Sequence, residues 1–224
     1  MASGTMVSPT DAPAGPDWIP SPPYRLSLRQ YERMVDEGII GEHDRVHLIN
    51  GVLVAKMTQN DPHCTADDLC DDALRRVIPV GWYIRGAKPV RIPGRAGRRD
   101  SKPEPDRCVV RGTVRDYEER TPEPADVGLV VEIADSSLAV DRRYATELYG
   151  PARIPVYWII NLVDRQVEVF TRPGPRGYRS TEVFKEGQSV PVVIGGQEVD
   201  RIAVADILPS RRRRAKGNGA RGLG

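Results

Sequence analysis

V-G-L-V-V-E-I-A-D-S-S, residues 127–137, is the stretch from which this chain is read. Its near-continuous apolar run predicts a central β-strand covered on both faces. Side chains alternate along a strand, so Val130, Glu132 and Ala134 share one face. Just upstream, E-P-D-R-C-V-V (104–110) leads into a second strand, residues 106–111, with Asp106, Cys108 and Val110 on one face. Asp106 and Glu132 are thus carboxylates in segments that otherwise read as core. A buried carboxylate is costly unless it is paired, protonated or holding a metal. Two on neighbouring strands suggest a divalent-metal site. The structural alternatives are a strand cap or a pair with Arg107 or Lys102 for Asp106, and an ion pair with an arginine such as Arg142 for Glu132.

Downstream, Asp135, Ser136 and Ser137 offer caps for a helix over 138–149, which Gly150-Pro151 ends. A strand at 156–162 follows, and a strand-helix-strand unit of this kind favours a parallel pair. Strands at 166–171 and 178–185, with short edge elements at 189–194 and 201–207, complete the C-terminal half. Upstream, Ser27 caps a helix to about Glu37, with Gly38 as its stop. Asn50-Gly51 between Val46–Ile49 and Val52–Ala55 predicts a tight hairpin. Asp61-Pro62 reads as N-cap and first residue of a helix to Val77, with Ala66, Leu69, Cys70, Ala73 and Leu74 inward and Asp67, Asp68, Asp71 and Asp72 in water. A strand is expected over 82–92. The loops are 93–103 and 112–126. Trp82, Tyr157 and Trp158 read as core. The expected fold is α/β: a mixed central sheet of six to eight strands with flanking helices, in one domain over residues 24–209.

Residues 1–23 hold six prolines and read as a disordered leader. The last fifteen residues carry six basic side chains and no acid, so against a whole-chain charge of +2 the remainder is at −4. This basic end, 210–224, reads as a solvated tail with nonspecific affinity for nucleic acid phosphates. No apolar run is long enough for a membrane span and no secretory signal is evident, so a cytoplasmic protein is expected. Cys64, Cys70 and Cys108 form no C-x-x-C pair, which argues against disulfide and zinc frameworks; Cys64 and Cys70 read as buried apolar groups.

The order of parts resembles the Uma-type restriction endonuclease family, within the PD-(D/E)xK nuclease superfamily. The pieces that carry the resemblance are Pro105-Asp106, Glu132 in V-V-E-I-A-D-S-S, and Ile154-Pro155-Val156-Tyr157-Trp158-Ile159, over about residues 24–209. It implies a restriction-endonuclease-like fold and hydrolysis of DNA phosphodiesters with Mg²⁺, or with Mn²⁺. Asp106 and Glu132 would be the catalytic metal-binding carboxylates, and the carbonyl of Ile133 a further ligand. Cutting both strands would call for a homodimer. Two positions depart from the family pattern. His47 stands where the family has an acidic residue, and Ala145 where it has a lysine. His47 reads as a neutral packed imidazole or a substitute ligand. Arg142, one helical turn before Ala145, is the candidate to replace the lysine's charge, although a guanidinium cannot act as a base. His63, at a helix N-terminus, reads as a phosphate contact or a local hydrogen-bonding group. A lapsed member, keeping the fold as a nucleic-acid-binding or interaction module, is the alternative function. A serine hydrolase built on Ser136 or Ser137 is disfavoured, since no G-x-S-x-G elbow is present.

Overall fold

The structure is a computed structural model and describes residues 24–41, 43–94 and 97–211. The expected leader and residues 212–224 of the expected basic tail lie outside the described residues. The elements run α1 (Leu28–Asp36), β1 (Val46–Ile49), β2 (Val52–Ala55), α2 (Asp61–Val77), β3 (Trp82–Gly86), β4 (Arg107–Arg111), β5 (Val127–Ala134), α3 (Leu138–Tyr144), β6 (Val156–Asn161), β7 (Gln166–Gly174), β8 (Gly177–Lys185), β9 (Ser189–Ile194) and β10 (Gln197–Ala203). The expected α/β architecture is present. Six strands form one mixed sheet in the order β3-β4-β5-β6-β7-β8. Only β5 and β6 pair in parallel; the other neighbours are antiparallel. The crossover α3 between β5 and β6 is the reason, because parallel neighbours cannot be joined by a tight turn.

Both faces of the sheet are covered, as the apolar run in β5 requires. On one face α2 lays Ala66, Cys70, Ala73 and Leu74 against Val109, Leu129, Val131 and Ile133, and the β9–β10 hairpin adds Val190, Val192 and Ile202. On the other, Cys108, Val110, Val130 and Ala134 meet Ala145, Leu148 and Tyr149 from the helical crossover. Adjacent residues of β5 therefore feed different cores. Glu132 belongs to the face covered by α3.

The β1–β2 hairpin has the expected register, Ile49 opposite Val52. Asn50 and Gly51 take φ of 49° and 77°, the left-handed pair that a two-residue turn needs. A Cβ on Gly51 would also come within 2.9 Å of Arg25 Cβ and of the Leu26 carbonyl, so glycine is required there twice over. Ser27 caps α1 in a reciprocal box with Gln30.

Several local expectations are corrected. The N-cap of α2 is Asn60, whose side chain accepts from the His63 amide, with Asp61 and Pro62 inside the helix. Asp67 and Asp71 are not simply solvated, because Arg107 reaches them at 2.9 and 3.3 Å. Cys64 is exposed, while Cys70 and Cys108 are buried. The strand expected over 82–92 ends at Gly86, and Ile92 keeps only an isolated bridge to Ser101. The helix over 138–149 changes at Ala145 into a π-helical turn, Ala145–Tyr149. Tyr157 and Trp158 are fully buried as expected. Trp82 is half-buried and carries the Arg111 guanidinium 4.6 Å from its ring.

Candidate metal centre

Register brings the two carboxylates together. Arg107 pairs with Val131 across β4 and β5, so the next position outward sets Asp106 beside Glu132. The Asp106 amide donates to Glu132 Oε2 at 3.2 Å. In return the Ile133 amide donates to Asp106 Oδ2 at 2.8 Å. The Tyr149 hydroxyl donates to Glu132 Oε1 at 2.8 Å. Each carboxylate is thus held at the end of the sheet by backbone or by a buried phenol. Ile133 turns its N–H toward Asp106, and in a strand the carbonyl of the same residue points to that same side.

The polar wall of the site comes from the chain entering α2. Gln59 Nε2 donates to Asp106 Oδ1 at 3.1 Å, and His63 Nε2 lies 3.2 Å from Asp106 Oδ2. Asn60, already the cap of α2, donates to Asp135 Oδ2 at 2.6 Å. Asp135 therefore ties α2 to the end of β5. Ser137 occupies the N-cap position of α3, and its hydroxyl donates to Asp141 Oδ2 at 2.6 Å.

Asp141 is a participant that sequence reading missed. It is 6% exposed and sits in the field of the pair. Burial pushes its carboxyl up to about 7, and Asp106 pushes in the same direction. Burial also raises Glu132 well above the usual carboxylate range, with Asp106 and Asp141 adding to it. On the far wall, burial holds Asp67 up to about 6. Burial opposes charging of His63, but its contact with Asp106 outweighs that and raises its pKa. The signal for Asp141 was present in sequence as an acid among the apolar Leu138, Val140 and Tyr144.

The arginine expected to serve the site is elsewhere. Arg142 forks onto Glu168, Nε to Oε2 at 2.9 Å and Nη2 to Oε1 at 2.6 Å. Glu132 aligns with Ile159 on β6, and Ile159 with Glu168 on β7. Glu168 therefore stands on the same face two strands away, about 10 Å by strand spacing. It is 4% exposed, and Asn161 shares it at 2.9 Å. Burial works against its charge, but the Arg142 fork prevails and lowers its pKa. The expectation that Arg142 supplies charge at the carboxylate pair is corrected: its charge is taken by Glu168. For the same reason Arg142 is not the ion-pair partner considered for Glu132. Lys102 and Arg107, considered as partners of Asp106, pair instead with Glu32 and with Asp67 and Asp71.

Ala145 is 1% exposed among the apolar residues on the α3 side of the sheet. His47 is neutral: burial first, then the nearby Lys56, lowers its pKa to about 4. Its Nδ1 is buried without a partner, and so is Nδ1 of His63. Among the described residues no group of three or more His, Cys, Asp or Glu side chains is placed to hold a metal ion. Two carboxylates and a backbone carbonyl make a smaller set than that.

With this geometry in place, the comparisons with known proteins bear directly on it. Residues 28–205 match the model of the Uma2 family, described as "putative restriction endonuclease". The chain belongs to the Uma2 family. The match spans both carboxylates, the helical crossover and the buried β6. The fold is shared with a crystal structure from Anabaena variabilis, titled a putative nuclease belonging to DUF820. The TM-score is 0.62 at 15% identity, over 81% of this chain and 97% of that one. No functionally curated protein matches the chain. A nuclease family and a restriction-endonuclease-like α/β fold are thus the frame for the site. Among the described residues no helix is long and apolar enough to cross a membrane.

Proposed function

We propose that this Uma2 protein is a divalent-metal-dependent deoxyribonuclease, with Asp106 and Glu132 as its catalytic carboxylates. The observation that carries the proposal is electrostatic. Glu132 is half-buried, and the charges that raise its pKa are the like charges of Asp106 and Asp141. Three neighbouring carboxylates faced by one imidazole are costly to ionise away from water. A divalent cation bound by Asp106, Glu132 and the Ile133 carbonyl removes that cost. Oxygen ligands of this kind suit Mg²⁺, and Mn²⁺ fits the same donors.

The chain's own groups have distinct tasks. Tyr149 and the Asp106 amide fix the Glu132 carboxylate; the Ile133 amide and Gln59 fix that of Asp106. Preorganisation of this sort avoids rearrangement when charge develops. His63, in the first turn of α2, reaches Asp106 through Nε2 and adds positive charge there when protonated, on the side where the helix dipole has the same sign. When bound, Mg²⁺ supplies a Lewis acid that polarises phosphate and acidifies water.

A second reading, a lapsed nuclease that retains only binding, is favoured by Ala145, which offers no ammonium to a phosphate. Plasmid nicking decides between the two. The enzyme reading expects nicking with Mg²⁺ or Mn²⁺ and none with EDTA. Nicking that survives in both Asp106→Asn and Glu132→Gln would exclude this site as its source.

A further inference from the structure

A cleft of ≈ 450 Å³ lies between the β1–β2 hairpin, the loop after Ile92 and the helical crossover. Its apolar wall is Ile49 and Val54 from the hairpin and Val140, Tyr144 and Leu148 from the crossover. Four arginines also line it, Arg98, Arg99, Arg143 and Arg153, against one acid, Glu147. Glu147 meets Arg143 at 3.3 Å, and its carbonyl accepts from Arg98. Neither Arg99 nor Arg153 is in ion-pair contact with a carboxylate among the described residues.

The loop bearing Arg98 and Arg99 is laced down. Asp100 accepts from the Leu28 and Gly94 amides at 2.8 and 2.9 Å, and these bonds lower its pKa. The Arg99 amide donates to Asn50 Oδ1 at 2.8 Å, and the Gly51 amide to the Asp100 carbonyl at 2.9 Å. The backbone that carries the two cations is therefore held beside the hairpin tip, and the Arg98 guanidinium is held by the Glu147 carbonyl. Another concavity of similar size, ≈ 570 Å³, differs in charge: four glutamates face three arginines, with Arg91 held by Glu123.

Two tyrosine rings connect the cleft to the carboxylate pair. Tyr144 lines the cleft, packs edge-on to Tyr149 at 6.1 Å, and Tyr149 donates to Glu132. We propose that this cleft takes one unpaired nucleotide of a DNA strand, its base on the apolar wall with Tyr144 and its flanking phosphates on Arg98 and Arg99. Three features select this occupant. A half-open cleft of this size suits a single nucleotide and is too narrow for the convex surface of a duplex. Aromatic and apolar walls suit the face of a base without regard to sequence. The surplus of arginine suits phosphate. The identity of the strand as DNA rests on the nuclease reading.

The test is equilibrium binding in EDTA, where neither metal nor cleavage intervenes. The probes are 5′-phosphorylated decathymidylate, its duplex with decaadenylate, and thymidine 5′-monophosphate. The expected order is single strand tightest. Arg98→Ala/Arg99→Ala makes the salt slope of strand binding shallower by about 1.4, at ~0.7 per phosphate contact. Val140→Glu, at an exposed wall position, weakens strand binding about tenfold, as does loss of one stacked base. Unchanged slope and affinity in these folded variants overturns the proposal. So does equal binding of the duplex, or mononucleotide binding as tight as the strand. Absent nicking with cleft-dependent strand binding would remove the nuclease reading alone; nicking with cleft-independent binding would remove the cleft alone.

Discussion

Asp106 and Glu132 clasp each other through the backbone: the amide of Asp106 donates to Glu132, and the amide following Glu132 donates to Asp106. Position and charge are thereby opposed. The hydrogen bonds hold the carboxylates together, while burial and repulsion from Asp106 penalise the ionisation of Glu132. A cation resolves the conflict. Glu132→Gln is accordingly expected to raise the melting temperature of the metal-free protein at pH 8, by a few degrees, while abolishing stabilisation by Mg²⁺ or Mn²⁺. The check is thermal denaturation with EDTA and with each metal. Nicking should fall on the order of 100-fold or more, at least what loss of a ligand's support costs.

The pH dependence of stability follows from Asp141. Its carboxyl is raised in the folded state to about 7. The folded protein then holds a proton that the unfolded chain has released. That contribution is full below the unfolded pKa of about 4 and is lost as pH rises through about 7. Asp67, raised to about 6, acts in the same sense. In EDTA, Asp141→Asn should become more stable relative to wild type as pH goes from 5 to 8. Melting curves across that range give the comparison, and a parallel pair of curves would refute the assignment.

Ala145 lies one helical turn after Asp141 and one before Tyr149, so a longer side chain there extends beside groups associated with Glu132. Ala145→Lys is expected to keep the fold, because its ammonium finds carboxylates, and to raise nicking at least tenfold, since a single charge-stabilising donor is worth more than that. Ala145→Leu is the control for bulk and should not raise it. Initial rates of plasmid nicking separate the two.

Arg142 has a structural task. Removing it leaves Glu168 buried with only neutral donors. Arg142→Ala should destabilise the protein by about 1–2 kcal/mol, less than a fully buried pair because Arg142 is half exposed. Urea denaturation measures this. Metal binding at Asp106 and Glu132 should be unchanged.

Local signals made much of this fold legible. Ser27, Asn50-Gly51 and the apolar run of β5 marked a cap, a turn and a central strand, and each depends on residues within a few positions. Alternation grouped Asp106 with Cys108 and Val110, and Glu132 with Val130 and Ala134, but that the two faces coincide follows only from the register of β4 against β5. What failed depended on partners distant in sequence. Arg142 was assigned to the site by helical spacing, but spacing cannot show that Glu168, twenty-six residues on, faces the same helix. Asp141 and Glu168 were passed over because an acid flanked by apolar residues reads as the solvent side of an amphipathic element. Only the opposite layer reveals that both are covered. Asn60 rather than Asp61 is the cap, and its side chain at the same time reaches Asp135, seventy-five residues on.

The most direct measurement is calorimetric titration of Mn²⁺ and Mg²⁺ into the wild-type protein and into Asp106→Asn and Glu132→Gln. The account predicts saturable binding to the wild type that is lost in both variants while their folds persist. Binding that is absent from the wild type, or unchanged in the two variants, would contradict it.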